Sequence, residues 1–187
     1  YGFGFNGGTP SAARTQLSHS GAFELGAGTN VLFLPSADVA IVALTNATPS
    51  GVPEALTAEF ADLVQFGSVR EDWYKLYTGA MLPMSEPVGS LVGAQRPTNP
   101  TPAQPLSSYA GTYRNDYWGP AVIAEKNGTL VLTLGPRGDT VELTHWDGNT
   151  FTFSFISENS PPGSISKATF DGGKLTLEYY DEAVFTK

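Results

Sequence analysis

The sequence predicts an α+β protein in which a small antiparallel sheet with a packed helix is followed by an all-β barrel of eight strands. Three observations carry this. Residues 1–67 hold strand-length apolar runs followed by helical periodicity, residues 84–105 are rich in proline and lack periodicity, and from Leu106 onward short alternating segments are separated by turn residues. The corresponding division is 1–67, 68–105 and 106–187.

The first part opens on Tyr1-Gly-Phe-Gly-Phe5, which alternates aromatic residues with glycine as a strand does where another backbone approaches one face. Leu17 to Leu25 and Val31 to Leu34 are further strands, and Val39-Ala-Ile-Val-Ala-Leu44 reads as a buried one ending at Thr45-Asn46. After the break Thr48-Pro49-Ser50-Gly51, the residues Val52, Leu56, Phe60, Leu63 and Val64 recur at helical spacing, which predicts one apolar stripe laid against the sheet. Gly67 is the expected terminator. A second helix is expected from about Glu71 to Met81, where Trp73, Tyr77 and Met81 stand four apart. From Pro83 to Pro105 there are six prolines, and this stretch reads as an extended connector between two cores.

The third part yields eight strand candidates, at 109–114, 121–126, 130–134, 141–146, 151–156, 165–170, 175–180 and 183–186. Asn127-Gly128, Asp147-Gly148 and Asp171-Gly172 supply the positive φ that tight hairpins require, so a meander is expected. Phe151, Phe153 and Phe155 fall on one face of their strand and Thr150, Thr152 and Ser154 on the other. Closing such a sheet removes its exposed edges. With Trp146 and Tyr179, these phenylalanines are bulky enough to fill the interior, so a packed barrel is favoured over a ligand cavity.

Composition narrows function. A net charge of -8, with only ten Lys and Arg, disfavours nucleic acid. No apolar run approaches the ~20 residues that span a bilayer. Without cysteine, and with only His19 and His145, neither a thiolate nor a histidine metal cluster is available, and no cofactor is expected.

The chemistry-bearing candidate is His19-Ser20-Gly21. In its setting of Tyr1-Gly-Phe-Gly-Phe5, Leu17-Ser-His-Ser-Gly-Ala-Phe23 and Val39 to Asn46, it resembles the C-terminal third of the catalytic domain in the serine β-lactamase and penicillin-binding-protein superfamily, in particular its class C-like esterases and peptidases. There a strand bearing Lys-Thr-Gly or His-Ser-Gly lines the site opposite a helix bearing Ser-x-x-Lys. The resemblance implies that the N–H of Ala22 is an oxyanion donor and that Gly21 leaves room for substrate. It further implies that Ser20 donates to a substrate carboxylate or carbonyl, and that His19 supplies a titratable charge or relays a proton.

The same family's nucleophile is not found in these residues. Ser164-Ile-Ser-Lys167 matches Ser-x-x-Lys, and Tyr113-Arg-Asn115 and Ser157-Glu-Asn159 match its Tyr/Ser-x-Asn element. Ser164 and Lys167, however, straddle the start of a predicted strand rather than one helical turn, and they follow His19 instead of preceding it. The chain begins at Tyr1 with neither an initiator Met nor a signal peptide. It is therefore expected to be the C-terminal part of a serine hydrolase, inactive alone and partnered by an N-terminal portion carrying Ser-x-x-Lys. Its substrate would be a small ester, acyl compound or peptide, its setting periplasmic or secreted in a bacterium, and homo-oligomers are open to it.

The barrel stretches Leu106 to Asn115, Tyr117 to Pro120, Gly128 to Leu134 and Leu143 to Gly148 resemble the lipocalin-like domain that follows the catalytic domain in many of these hydrolases. An alternative follows from this second resemblance, namely a non-catalytic small-molecule-binding or interaction module.

Overall fold

The computed structural model describes residues 1–9 and 14–187. It divides into two compact units, Tyr1–Glu86 with Ser157–Asn159, and Pro87–Ile156 with Ser160–Lys187.

In the first unit, β1 (Asn6–Gly8), β2 (Gln16–Phe23), β3 (Ala27–Leu34) and β4 (Val39–Thr45) form an antiparallel sheet in chain order. Its small core joins Leu32 and Leu34 of β3 to Ala61 on α1 (Val52–Phe66), with Ile41 of β4 against them. Helix α1 ends where Gly67 takes φ 75° and its N–H bonds the carbonyl of Leu63. Helix α2 (Trp73–Met81) starts at Asp72, whose side chain accepts from the Lys75 N–H at 3.0 Å.

Two expectations are corrected here. The apolar stripe of α1 does not face the sheet: Val52, Leu56, Leu63 and Val64 are exposed, while Pro53, Glu54, Ala55, Thr57, Ala61 and Asp62 are buried. The polar groups decide the orientation. Glu54 and Thr57 find partners on the sheet in Ser20 and Asn30, and the small side chain of Ala61 lets the helix approach closely. Secondly, Tyr1–Phe5 is a tight turn rather than a strand, closed by paired hydrogen bonds between Gly2 and Phe5, with Phe3 at φ 53° and Gly4 at φ 85°. Glycine at the second turn position accepts its positive φ readily, while Phe3 holds the left-handed conformation at the first.

The second unit is a closed barrel of eight antiparallel strands, β5 (Gly111–Asn115), β6 (Gly119–Lys126), β7 (Thr129–Leu134), β8 (Asp139–Asp147), β9 (Thr150–Phe153), β10 (Ser166–Asp171), β11 (Lys174–Leu177) and β12 (Ala183–Thr186). Pairing of Thr186 with Arg114 closes it. Side chains fill the interior, among them Tyr113, Leu132, Phe151, Phe170, Leu177 and Phe185. Trp146 lies outside this core cluster, and Phe155 and Tyr179 only border it. A bulge between His145 and Asp147 interrupts the β8 to β9 register next to Trp146. The hairpin after β10 places its positive φ on Gly172 and Gly173, one residue later than Asp171-Gly172.

The proline-rich stretch belongs to the barrel unit from Pro87 on. Three of its N–H groups bond to the rest of the barrel unit: Val88 N–H to Ser164 Oγ, Ser90 N–H to Glu178, and Thr101 N–H to Asp147 Oδ1 at 2.6 Å, while those of Val92 and Ala94 close local turns. Arg96 donates to the Trp146 carbonyl and to His145 Nδ1 at 2.9 Å, leaving Nε2–H of the neutral ring to donate to the Gly148 carbonyl.

Candidate functional site

Strand β2 carries the four candidate residues, and its alternation divides them. His19 and Gly21 project from the sheet face away from α1, and Ser20 and Ala22 from the face toward it. His19 is exposed, with the Tyr1 ring 6.3 Å from its own. A Cβ added to Gly21 would meet Thr29 Oγ1 at 3.4 Å, and the Thr29 hydroxyl donates to the Gly21 carbonyl at 3.2 Å.

The backbone of β2 has one paired and one partly unpaired side. Strand β3 pairs with it from Leu17 to Phe23, whereas β1 reaches only from Gln16 to Ser18. The Phe23 carbonyl accepts from Gly26 N–H inside the β2 to β3 turn, so Phe23 presents its peptide groups toward β3. Alternation then turns the N–H of Ala22, and that of Ser20, toward the side of β1. Among the described residues no strand pairs with them there.

Ser20 differs from expectation. Its hydroxyl donates to Glu54 Oε1, so it is engaged on the helix side of the sheet rather than beside His19. Glu54 is 4% exposed, in the first turn of α1, where the helix dipole favours a carboxylate. Burial raises the pKa of the neighbouring Tyr77 phenol, and the Glu54 charge adds to the rise. Asn30 on β3 donates to Thr57 Oγ1 at 3.0 Å, and Thr57 donates to the Glu54 carbonyl. Sequence reasoning missed Glu54, Asn30 and Thr57, because nothing local marks a polar residue as buried.

Of the three motif matches elsewhere, two lie in the barrel unit, and Ser157-Glu-Asn159 lies in the first unit, where Glu158 accepts the N–H groups of Glu24 and Leu25 in the turn after β2. Ser164 lies in a turn, donating to the Pro161 carbonyl at 2.6 Å, and Lys167 lies in β10 with its Nζ 3.5 Å from Glu182. Tyr113 is buried in the barrel with its hydroxyl on the Tyr109 carbonyl, and Asn115 braces a hairpin. The Asn159 N–H bonds its own motif partner, Ser157 Oγ. A cleft of about 450 Å³ lies between α1 and α2, lined by Asp62, Gln65, Trp73 and Tyr77, and it includes none of His19, Ser20, Gly21 or Ala22. Among the described residues no group of three or more His, Cys, Asp or Glu could hold a metal ion. No described helix is long and apolar enough to cross a membrane.

Comparison with known proteins reaches mainly the barrel. A family model described as a domain of unknown function (DUF3471) matches residues 95–181. The crystal structure of the C-terminal domain of penicillin-binding protein Rv0907 matches at 54% identity, covering 55% of this chain and all of that one, with a TM-score of 0.48. The barrel half of the chain is thus similar in sequence to that domain. No curated protein gives a significant match. The matched family span takes in the proline-rich lead from residue 95 together with most of the barrel.

Proposed function

We propose that the chain is the C-terminal part of a β-lactamase-like serine hydrolase that works through an acyl-enzyme. The observation that carries this reading is the 54% identity of its barrel half to the C-terminal domain of a penicillin-binding protein, joined in one chain to a sheet bearing His19-Ser20-Gly21.

In this reading β2 is one wall of the active site. The outward N–H of Ala22 stabilises the oxyanion of a tetrahedral intermediate, and Gly21 keeps that strand accessible. His19, on the face away from α1, contributes charge or relays a proton. Ser20 acts as a positioning residue, tying β2 to α1 through Glu54. The nucleophile comes from a Ser-x-x-Lys helix outside these residues. Surface chemistry supports such a complement: Val42 and Leu44 are exposed on the sheet, and Val52, Leu56 and Leu63 on α1, an amount of uncovered apolar surface that a folded neighbour would bury. The substrate is a small ester, acyl compound or peptide, and a periplasmic or secreted setting follows from the same resemblance.

Labelling native protein with a fluorescent penicillin or a fluorophosphonate, followed by mass mapping, tests the proposal. The labelled serine is expected in a Ser-x-x-Lys segment that copurifies with, or is continuous with, these residues, and His19→Ala should slow labelling. A label on a serine within residues 1–187, or no label on either probe, overturns it.

A further inference from the structure

Strand β3 pairs with β2 as far as Phe23, but β1 pairs with it only as far as Ser18, so the end of β2 that carries Gly21 and Ala22 has one neighbouring strand. The hairpin that follows is rich in glycine: Gly21, Gly26 and Gly28 lie in or beside it, and Gly26 takes φ 111°. Glycine leaves the backbone many conformations, so holding this hairpin in one of them calls for a restraint from outside it.

Two such restraints are present, and both stand where the chain passes from one unit to the other. Ser157–Asn159 is an excursion of the segment between β9 and β10 into the first unit. Its Glu158 accepts the N–H of Glu24 at 2.6 Å and the N–H of Leu25 at 3.3 Å, from residues 134 and 133 positions away in the chain. Bonds from N–H groups to a carboxylate are charge-assisted, and one side chain here holds two consecutive peptide groups. The Asn159 N–H closes on Ser157 Oγ, which makes a turn that presents the residue between them. From the other crossing, the hydroxyl of Ser85 donates to Glu24 Oε2 at 3.0 Å, just before the first unit ends at Glu86. Both ties meet at Glu24, two residues after Ala22.

We propose that Glu158 is a positioning residue for the candidate site: by clamping the turn between β2 and β3 it fixes the end of β2, and with it the direction of the Ala22 N–H. The claim rests on the reading of β2 as one wall of an acyl-transfer site. Oxyanion stabilisation requires donors already aimed at the place where charge develops, and a displacement of about 1 Å costs a large factor in rate. Among the described residues no strand pairs with Ala22 on its donor side, which leaves β3 and the clamped turn to set its direction. The match at Ser157-Glu-Asn159 thus has a use through its middle residue, as a restraint on the site strand.

Amide exchange and chemical shifts of the 187-residue chain are measured by NMR for wild type, Glu158→Ala and Glu158→Gln, with circular dichroism melting to confirm that each is folded. Glu158→Ala should speed exchange of the Glu24 and Leu25 amides by about tenfold or more and move the Ala22 amide resonance, and Glu158→Gln, which keeps one acceptor oxygen, should fall between. Unchanged exchange at Glu24 and Leu25, or faster exchange there with an unmoved Ala22 resonance, overturns the proposal. The same substitutions are then made in the native protein labelled with fluorescent penicillin. Glu158→Ala should lower the maximal labelling rate by about tenfold at an unchanged half-saturating concentration, with partial recovery in Glu158→Gln. Equal maximal rates in wild type and Glu158→Ala also overturn it. A wild type that takes up no label defeats the hydrolase reading instead, and the clamp is then decided by the amide measurements.

Discussion

Ser20 on β2 donates its hydroxyl hydrogen to the carboxylate of Glu54, a buried acid in the first turn of α1, while its chain neighbour His19 projects from the opposite face. The bond joins sheet to helix at the strand that carries the candidate site. Replacing Ser20 with Ala leaves a buried carboxylate without its donor, which costs about 1.5–3 kcal/mol for a bond to a charged group. Ser20→Ala should lower the melting temperature of the sheet unit, and Ser20→Thr, which restores the hydroxyl, should recover part of it. Equal stability of wild type and Ser20→Ala would refute the link.

Gly51 sits at the start of α1 with φ 74°, and a Cβ there would lie 2.5 Å from the carbonyl carbon and oxygen of Tyr77 on α2. Backbone cannot yield as a flexible side chain does. Gly51→Ala therefore combines positive-φ strain of about 1–3 kcal/mol with separation of the two helices. Circular dichroism melting should show a loss larger than that of Gly67→Ala, whose added Cβ meets nothing within 4 Å.

Asp62 Oδ2 accepts from the Arg70 N–H at 2.9 Å and from the Trp73 indole N–H at 2.8 Å, fixing the turn between α1 and α2. Asp62→Ala leaves both donors without this acceptor, at about 1–3 kcal/mol. The expected readouts are a lower melting temperature and a change in Trp73 emission, isolated by placing Phe at Trp118 and Trp146. Unaltered emission would show that the indole does not depend on Asp62.

Tyr109, 4% exposed, uses one hydroxyl twice: it accepts from Gln104 N–H at 2.8 Å and donates to Asn149 Oδ1 at 2.6 Å. Tyr109→Phe keeps the ring in the core and removes both bonds. Barrel stability should fall by about 1–2 kcal/mol in urea unfolding, with the Gln104 amide exchanging faster. Retained amide protection would place its partner elsewhere.

Glu178 ties the proline-rich stretch to the barrel by accepting from Ser90 N–H at 2.8 Å and Lys167 N–H at 2.9 Å. Burial alone would raise its pKa. The hydrogen bonds from Ser90 and Lys167, with the Lys167 charge, outweigh burial and hold it below its ordinary value. A carboxylate with a lowered folded-state pKa contributes stability in full above the unfolded value of about 4.3, and loses it as pH falls through the folded value. Glu178→Gln should flatten the fall in melting temperature between neutral and acidic pH and speed exchange of the Ser90 amide. Parallel pH profiles for the two proteins would exclude this role.

Much of the barrel could be read from local chemistry. Asn127-Gly128 forms its predicted turn, with φ 51° and 78°, and alternation along Phe151 and Phe153 correctly sets both in the core. The glycine stop at Gly67 likewise ends α1 without outside help. At the candidate site the strand and its four residues were legible, but the commitment of Ser20 to Glu54 was not, since the two stand far apart in the chain.

The sequence by itself determined where most strands, turns and helices fall, the Tyr1–Phe5 turn and the register of the hairpin after β10 excepted, because side-chain alternation, helical spacing and positive-φ residues act over a few positions. Only the tertiary structure decided that α1 turns Glu54 and Thr57 inward and its apolar stripe outward, that Thr186 pairs with Arg114 to close the barrel, and that the stretch from Pro87 docks on Glu178 and Asp147. Each of these outcomes depends on a polar group finding its partner across a long loop, and the energy of that encounter is absent from any short window of residues.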